Sequence, residues 1–405
     1  MPWTLRMTVF TMIIGFLPYL YIYLRLGSSL KLLLRLQRRT VLLIMALIYL
    51  IFHLYPLTYL LYSMFGNGDN FFVNRDSLSW ADYLIHFPYW IGFITVIDSF
   101  GYFIMIDLLQ YLLRRFSFGK NLYRPRPWAH GRIVFYILFL FYVAIRSYYD
   151  TNSIRDTSYT INLPHAPAGI EDLKFTFFAD LQVDRYTTQS KINAFKTNLK
   201  KSDPDFIFFA GDLITSGRAF TKKAVAAVCD GDTSIPRIAC MGDHDFWNDR
   251  DAIVQGLEKG GWDFLQNAHK VYQYKNLKIL VTGITQIYSR RISPSELDAL
   301  LDAAPDADLK VLLVHQPRSN LIQSADKHGY NLFLAGHTHG GQMVFKPLGF
   351  TITPTQFENP IYTGHHIFNN LHVVITNGIG MTLIPLRYRA YAEIVRLNFK
   401  TGNTN

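Results

Sequence analysis

Cysteine and charged residues are scarce in this 405-residue chain, and no internal repeat or low-complexity tract interrupts it. Cys229 and Cys240 are the two cysteines and do not form a CxxC pair, so the sequence suggests no thiolate metal site. We expect both to be small buried hydrophobic residues rather than a disulfide. Hydrophobic residues make up 50% of the chain and charged residues 17%, a balance too apolar for an ordinary soluble enzyme. The length is sufficient for two domains.

The positive charge is unevenly distributed. Residues 1–150 carry 14 Lys and Arg against 6 Asp and Glu, a net charge of +8, whereas residues 151–405 carry 26 against 24, a net charge of +2. The basic excess therefore belongs to the apolar part, where positive loops usually report membrane orientation. A nucleic-acid-binding protein would carry a basic stripe on its globular part instead. We therefore expect no nucleic-acid partner.

Four apolar stretches predict a bundle of about four transmembrane α-helices: residues 7–24, 40–65, 87–113 and 133–145. A span needs about 20 residues to cross about 30 Å of hydrocarbon, so the first three are long enough. The first does not end in small residues, which favours a retained helix over a cleaved signal peptide. The fourth is short and lies between Arg132 and Arg146, so it needs snorkelling arginines and interfacial anchors at Trp128, Tyr148 and Tyr149. It is predicted to be the weakest span.

The loop charges predict the orientation of these helices. The first and third loops are basic, with Lys31, Arg35, Arg38 and Arg39 in one and Arg114, Arg115, Lys120, Arg124, Arg126 and Arg132 in the other. The second loop carries Asp69, Asp76 and Asp82 against Arg75. If the fourth stretch crosses, everything after Arg146 lies outside the cytoplasm. The chain is then an integral protein of a cytoplasmic membrane, with an extracytoplasmic globular part and a lipid bilayer as partner.

Two acidic residues, Asp98 and Asp107, lie within the third apolar stretch. Ionisable groups in a membrane segment are costly and often functional. For Asp107 the simpler account is a local ion pair with Arg114. Asp98 lies deeper and could face His53 or polar groups of another helix. A structural role is favoured for both, with a proton-transfer or substrate role as the alternative.

The rest of the chain alternates between strand-like and helix-like blocks. Short apolar runs occur at residues 175–179, 206–210, 237–241, 278–282, 310–314 and 332–335, with helical periodicity at 190–201. Such runs separated by helical patterns indicate a buried sheet flanked by helices. We predict a transmembrane region at 1–150, a linker with an entry strand at 151–172, and an α/β domain at 173–405.

Five of these apolar runs are followed by a carboxylate, an amide or an imidazole side chain. The residues are Asp180 and Gln182, then Asp212, then Asp243, His244 and Asp245, then His315, and finally His337 and His339. Sites in α/β sheets form at the carboxyl ends of the strands. Because a buried aspartate without a partner is costly, their convergence predicts bound cations. Carboxylates mixed with imidazoles suit Mn, Fe or Zn.

The order of these motifs resembles the calcineurin-like metallophosphoesterases, and most of all the bacterial subgroup with N-terminal transmembrane helices. The resemblance covers residues 173–398 and continues through Asn377-Gly378-Ile379-Gly380, Pro385-Leu386-Arg387 and Ala392-Glu393-Ile394. It implies a sheet-on-sheet core flanked by helices and two divalent metal ions.

The resemblance also implies individual roles. Asp212 would bridge both metals. The first site would be completed by Asp180, Gln182 and His339, and the second by Asp243, His315 and His337. His244 would act on the substrate as general acid or transition-state stabiliser, oriented by Asp245. Gln182 stands where histidine is common and Asp243 where asparagine is common, so a third carboxylate accompanies a weaker amide ligand.

The expected function is hydrolysis of a phosphomonoester or phosphodiester by a metal-bridging hydroxide. Because the domain is tethered to a membrane, a lipid-linked substrate is favoured over a small soluble one. A non-catalytic receptor or scaffold, with Gln182 as the mark of a lost site, is the alternative, and a nuclease lacks a basic groove. His365 and His366 are expected at the surface. Arg387 is predicted either to contact phosphate or to pair with Glu393.

Overall fold

The computed structural model describes residues 3–65, 77–116 and 123–402. The chain divides into two compact units. The helical unit comprises Met1–Tyr149 and Met343–Ile352, and the two-sheet unit comprises Asp150–Gln342 and Thr353–Asn405. The charged loop residues Asp69, Arg75, Asp76 and Lys120, on which the orientation prediction partly rests, lie outside the described residues.

Long apolar helices make up the helical unit. They are α1 (Trp3–Leu34), α2 (Arg38–Phe52), α3 (Leu54–Phe65), α4 (Phe87–Arg115, preceded by a π-helical turn at Asp82–His86) and α5 (Pro125–Asn152). In the described part of the chain, three helical stretches are long and apolar enough to cross a membrane, or four if α2 and α3 form one span bent by 63°. The prediction of about four apolar helices is therefore confirmed. The fourth stretch is a 28-residue helix, and the second is the broken one.

Pro56 explains the break between α2 and α3. A proline has no main-chain N–H, and its ring clashes with the carbonyl four residues earlier, which here belongs to Phe52 at the end of α2. At the break, the ring of His53 stacks on Tyr49 with centroids 3.8 Å apart. The His53 Nδ1 also lies 2.9 Å from the Tyr49 carbonyl oxygen. His53, the polar residue of this apolar stretch, therefore has a structural role at the bend.

Asp107 joins three helices of the bundle. Its carboxylate lies 2.5 Å from Arg25 of α1 and 2.6 Å from Arg132 of α5, and it accepts a hydrogen bond from Tyr21. Arg132 also donates to Gln110 at 2.8 Å. The predicted local pair with Arg114 is wrong, because cations on neighbouring helices neutralise Asp107 instead. The structural role favoured for Asp107 follows from these interhelical contacts.

The two-sheet unit alternates strands and helices in the predicted manner. Its strands are β1 (Ile154–Asn162), β2 (Lys174–Phe178), β3 (Phe206–Phe209), β4 (Arg237–Ala239), β5 (Trp262–Phe264), β6 (Ala268–Tyr274), β7 (Leu277–Ile284), β8 (Leu309–Val314), β9 (Leu332–Ala335), β10 (Gly364–Phe368), β11 (Leu371–Ile375) and β12 (Ala392–Lys400). Its helices are α6 (Gln189–Lys201), α7 (Thr221–Cys229), α8 (Asp243–Asn248), α9 (Arg250–Lys259), α10 (Pro294–Asp302) and α11 (Ser319–Lys327). Each of the six apolar runs identified in the sequence overlaps a strand, and three of the runs continue one or two residues beyond the strand end.

Two six-stranded sheets face each other. The strand order is β1-β12-β2-β3-β4-β5 in one sheet and β10-β11-β9-β8-β7-β6 in the other. Strands β2 to β5 are parallel, as are β7, β8, β9 and β11. Buried side chains from both sheets, such as Phe177 and Val311, form the central core, and α6, α7 and α9 cover the outer face of the first sheet. The predicted sheet-on-sheet core flanked by helices is confirmed.

Candidate metal centre

The predicted ligands follow neighbouring parallel strands. Asp180, Gln182, Asp212 and Asp243 lie just beyond β2, β3 and β4 of one sheet. The histidines follow β8 and β9 of the other sheet: His315, His337 and His339. Because parallel strands end at the same edge, the loops that leave these strands meet. The three aspartates and three histidines contact one another at 3.2–3.4 Å, and Gln182 is hydrogen-bonded to Asp212.

Strained backbone holds five of these residues. The φ angles of Asp180, Gln182, Asp212, His337 and His339 lie between 48° and 72°, in the left-handed region. Non-glycine residues rarely adopt this conformation, which costs about 1–3 kcal/mol per residue and persists only where surrounding contacts enforce it. Such clusters are typical of functional sites, and no pattern in the sequence indicates this one.

Two glycines allow the loops to approach each other. A Cβ atom on Gly242 would lie 2.1 Å from the main-chain nitrogen of Asp212 and 2.3 Å from its Oδ1. A Cβ atom on Gly380 would lie 2.3 Å from the Cβ of Gln182. All three distances are too short for a Cβ atom unless the backbone moves, so these glycines allow the loops that carry the candidate ligands to approach closely.

Asp243, His315 and His337 form one group of ligand atoms, all within 4.8 Å of one another. The Oδ2 of Asp243 lies 3.4 Å from His315 Nε2 and 3.2 Å from His337 Nδ1. The two histidine nitrogens are 3.3 Å apart. His315 is fixed by its Nδ1, which lies 2.7 Å from the Ala210 carbonyl oxygen. These three residues are the ones predicted to complete the second metal site.

A second group contains Asp180, Asp212 and His315. His315 Nε2 lies 3.4 Å from Asp212 Oδ2, so this histidine takes part in both groups, although the sequence predicted it in one. His339 Nε2 lies 3.4 Å from Asp180 Oδ1, and Gln182 donates from Nε2 to Asp212 Oδ2 at 2.7 Å. The four residues predicted for the first site are therefore linked through Asp180 and Asp212.

Two buried oxygen atoms at this site lack hydrogen-bond donors among the described residues: Asp180 Oδ1 and Gln182 Oε1. Both residues are fully buried. A buried polar atom without a partner is costly, and a cation satisfies a carboxylate or amide oxygen. The set of carboxylate, amide and imidazole donors suits Mn, Fe or Zn. The residues present therefore fit a bound metal pair.

The electrostatics favour the neutral ligand form of His339, whereas the pKa values of Asp180 and His315 are shifted toward their protonated forms. Burial and the nearby Arg387 lower the pKa of His339 well below its usual value, which keeps this imidazole neutral, as a metal ligand must be. Burial raises the pKa of Asp180 to about 7, with Asp212 adding to the shift. Burial would lower the pKa of His315, but the Asp212 and Asp243 carboxylates raise it well above its usual value. The concentrated negative charge thus attracts cations.

His244 is held beside this group by main-chain and side-chain contacts. Its main-chain N–H donates to Asp212 Oδ1 at 2.8 Å. Its Nδ1 lies 2.5 Å from the Thr215 carbonyl oxygen, and its Nε2 lies 3.2 Å from the Thr382 hydroxyl. A carbonyl only accepts hydrogen bonds, so Nδ1 carries the proton in the neutral ring. The side chain therefore offers Nε2 for proton exchange.

Asp245 does not orient His244, so that prediction is wrong. Its Oδ2 accepts from the main-chain N–H of Asp212 at 2.8 Å, and its Oδ1 accepts from Leu213 at 2.8 Å and from Ile214 at 3.4 Å. Asp245 follows His244 in the first turn of α8, and neighbouring residues of a helix point in different directions. The Asp245 side chain therefore faces the loop after β3. Thr215 orients the histidine, and Asp245 fixes the main chain that carries Asp212.

Sequence reasoning missed the residues that hold Asp243. Gln316 donates from Nε2 to Asp243 Oδ2 at 2.7 Å, and the main-chain N–H of Tyr288 donates to Asp243 Oδ1 at 2.6 Å. Gln316 directly follows His315, so its place in the motif was the available signal. Tyr288 lies in a loop after β7 that carries no comparable pattern.

An exposed aromatic rim lies next to the histidines. Trp247 and Tyr288 are stacked at 10° with centroids 6.1 Å apart. The ring of Trp247 is 5.3 Å from that of His244, and the ring of Tyr288 is 5.4 Å from that of His337. Glu358 links this rim to Arg318, because it accepts from Tyr288 at 2.8 Å and pairs with Arg318 at 2.6 Å. These residues thus border the candidate metal centre on its exposed side.

Arg387 takes neither of its predicted roles. It is fully buried, and among the described residues its guanidinium donates to four main-chain carbonyls, those of His339, Asn377, Gly380 and Ala390. Glu393 instead accepts from Thr157 and from the main chain of Asn377. Arg387 thus fixes the main chain of the loop that carries His339. His366 is exposed, as expected, whereas His365 is partly buried against His372.

Loops at the strand ends of two facing sheets bring carboxylates and imidazoles together. This fold and this site are those of a metal-dependent phosphoesterase. The calcineurin-like phosphoesterase family matches residues 173–341, so this part of the chain carries a calcineurin-like phosphoesterase domain.

Several curated proteins are similar to the chain. The uncharacterized metallophosphoesterase YkuE of Bacillus subtilis is 26% identical over 261 residues, which cover 63% of this chain and 89% of that protein. The phosphodiesterase YaeI of Escherichia coli is 25% identical over 229 residues, 55% of this chain and 81% of that protein. A transmembrane protein with a metallophosphoesterase domain from Danio rerio is 23% identical over 244 residues, 58% of this chain and 54% of that protein.

Proposed function

We propose that the chain is a membrane-anchored phosphoesterase that uses two divalent cations (Mn, Fe or Zn) to hydrolyse a phosphomonoester or phosphodiester on a lipid-linked substrate. The observation that carries the proposal is the buried cluster of three carboxylates and three imidazoles, with oxygens of Asp180 and Gln182 left without hydrogen-bond donors among the described residues. Within a domain of this family, such a donor set supports two cations rather than one.

The residues that would hold the cations divide into two sets with Asp212 in common. Asp180, Gln182 and His339 would complete the first, and Asp243, His315 and His337 the second. When bound, two adjacent cations stabilise charge on phosphoryl oxygens and make a nucleophilic water available at neutral pH. Asp212 suits the shared position because His315 and Gln182 contact its Oδ2 while the His244 main chain contacts its Oδ1.

His244 is the proposed general acid. With Nδ1 directed to the Thr215 carbonyl, its Nε2 can carry a second proton and donate it to the leaving oxygen of the ester. Thr382 lies 3.2 Å from that nitrogen and limits the ring's rotation. The proton would therefore be delivered from a fixed position, and the alcohol would leave neutral.

The rim formed by Trp247, Tyr288, Arg318 and Glu358 is proposed to bind the part of the substrate beyond the phosphate. Trp247 is 50% exposed and Tyr288 is 42% exposed, so part of each ring is accessible. Arg318 adds a cation beside them, 5.7 Å from the centre of the Tyr288 ring. Such a surface suits a polar head group with an anionic or planar portion.

The helical unit supports the membrane anchor and the lipid-linked substrate. Large apolar side chains lie exposed along α1 and α5, among them Ile13 (68%), Leu17 (67%), Leu138 (63%) and Phe141 (60%). Water-exposed stripes of this size are unfavourable, whereas lipid solvates them. Four basic residues lie at or next to the connection between α1 and α2: Lys31, Arg35, Arg38 and Arg39. They favour a cytoplasmic position for that connection and an extracytoplasmic position for the catalytic domain.

A non-catalytic scaffold is the weaker alternative. Loss of catalysis would leave no constraint on the buried carboxylates, which are costly without cations. The backbone strain at Asp180, Asp212, His337 and His339 points the same way, because strain is retained where function uses it.

Hydrolysis by the purified full-length chain in detergent micelles tests the proposed function. Bis-p-nitrophenyl phosphate and p-nitrophenyl phosphate separate diester from monoester activity, and a phospholipid in the same micelles tests the lipid-linked class. Asp212→Asn is expected to abolish all activity, whereas Asp306→Asn, an exposed change of equal charge, is the matched control. Metal-independent hydrolysis, or equal activity of the two variants, would contradict the proposal. A reporter fused after Asn405 that is active only in the cytoplasm would contradict the orientation.

A further inference from the structure

The segment Met343–Ile352 belongs to the helical unit, although the residues on either side of it belong to the two-sheet unit. It begins four residues after His339. We propose that this segment, here named the dipping hairpin, is embedded in the lipid bilayer alongside α4, with the acyl-chain and head-group boundary as its partner. The inference rests on the proposed membrane anchoring of the helical unit and extends it to a piece of the catalytic sequence.

The dipping hairpin is closed by its own main chain. Phe345 and Ile352 exchange two hydrogen bonds, of 2.8 and 2.9 Å, in an antiparallel pair. At the tip, the N–H of Phe350 donates to the Pro347 carbonyl at 3.1 Å, and that of Gly349 donates to the Lys346 carbonyl at 3.3 Å. Pro347 has no N–H to satisfy. Much of the hydrogen-bonding demand of the segment is therefore met internally.

Contacts with α4 follow the helix from one end of the hairpin to its tip. The ring of Phe345 packs edge-on against that of Phe93 at 6.5 Å. The tip reaches Gly101, where a Cβ atom would lie 3.2 Å from Leu348 Cγ and 3.5 Å from Pro347 Cβ. At 1.5 Å per residue, Phe93 and Gly101 are about 12 Å apart along the helix axis. The hairpin thus runs along the apolar helix rather than resting on its end.

Two side chains of α4 satisfy the main chain of Lys346. The buried carboxylate of Asp98 accepts its N–H at 2.6 Å, and the Tyr102 hydroxyl donates to its carbonyl at 3.4 Å. Irregular backbone at membrane depth is tolerated only where its polar groups find partners in the protein. This contact also accounts for Asp98, which was expected to face His53 or another helix. The role of Asp98 is therefore structural: its carboxylate accepts a main-chain N–H of the hairpin.

The lipid partner is indicated by an apolar stripe that continues from the hairpin along α4. Leu348 (46%), Phe350 (73%) and Ile352 (41%) are exposed. On α4, the positions three, four and seven residues after Gly101 are Ile104 (45%), Met105 (49%) and Leu108 (55%), which are also exposed. Residues at this spacing share one helix face. The hairpin and the helix therefore present one continuous apolar surface, of the kind that a bilayer covers.

A fluorescent probe at residue 350 tests the proposal without an activity assay. Phe350→Cys, in full-length protein carrying Cys229→Ala, would be labelled with a nitrobenzoxadiazole dye after reconstitution into phosphatidylcholine vesicles, since Cys240 is fully buried. Spin-labelled lipids then quench probes in contact with the bilayer. The reference for lipid contact is Leu43→Cys on α2, where Leu43 is 61% exposed, and the reference for water is Asn276→Cys in the exposed β6–β7 turn.

We expect lipid quenching at residue 350 to be at least half of that at residue 43 and several-fold above that at residue 276. Quenching at 350 no greater than at 276, with strong quenching at 43, would overturn the dipping hairpin and leave the membrane anchor intact. Weak quenching at 43 as well would overturn both. A probe at 350 shielded from spin-labelled lipid and from aqueous iodide alike would indicate a protein partner, such as a second copy, and would also overturn the proposal.

Discussion

Asp245→Asn separates a role in holding the Asp212 loop from a role in orienting His244. In the native protein both oxygens of Asp245 accept main-chain N–H groups, at 2.8 Å from Asp212 and 2.8 Å from Leu213. Asparagine retains one acceptor oxygen and turns an NH₂ group toward the other N–H. One buried donor is then left without a partner, and the bond lost is one to a charged group.

The expected cost follows from that single unsatisfied donor. Leaving a buried N–H unpaired costs about 1–3 kcal/mol. For a domain of this size, each kcal/mol lowers Tm by about 2–4 °C, so Asp245→Asn should lower Tm by about 2–12 °C. Because the displaced main chain carries Asp212, metal occupancy should fall with stability. Calorimetry and metal analysis measure the two effects, with Asp306→Asn as the exposed control of equal charge change.

The opposite pattern would refute this reasoning. If Asp245→Asn kept the Tm and metal content of the native protein but shifted the pH dependence of kcat, Asp245 would act through the imidazole of His244. The hydrogen bonds of Asp245 to the β3 loop would then be incidental. Thr215→Ala provides no comparable test, because the contact to His244 comes from its main-chain carbonyl.

Three further substitutions test the site. His244→Ala should retain both metals, because its main-chain N–H still donates to Asp212, and should lower kcat about 10²–10⁴-fold; loss of metal would make it a ligand. Gln182→Ala should lower metal occupancy, whereas Gln182→His should keep it close to the native level. No change in metal occupancy or activity in either variant would indicate a site without metal. Trp247→Ala should raise KM more than it lowers kcat, and an unchanged KM for every substrate tried would remove Trp247 from the substrate rim.

The sequence predicted which side chains the structure brings together, because the ends of strands are marked locally in the sequence. Five of the six apolar runs are followed within two residues by a candidate ligand, as with residues 206–210 and Asp212. Parallel neighbours then bring the ligands together without further information. The two facing sheets followed from the family resemblance, and the apolar helices followed from length and composition.

The failures share one physical cause, the choice of a sequence neighbour where a distant residue was the partner. Asp107 was paired with Arg114 seven residues away, but Arg25 and Arg132 on other helices neutralise it. Asp245 was assigned to the adjacent His244, but its partners lie in the β3 loop. Local spacing does not encode which helix or loop packs against a side chain. The left-handed backbone of the ligands is likewise a product of the assembled fold.

The account depends most directly on the number of metal ions bound per chain. Inductively coupled plasma mass spectrometry of the purified full-length protein, saturated with Mn²⁺ and then desalted, gives this number beside Asp212→Asn and the Asp306→Asn control. We predict close to two ions per chain for the native protein and for Asp306→Asn, and at most one for Asp212→Asn. Fewer than one ion per native chain, or the same number in Asp212→Asn as in the native protein, would contradict the metal centre.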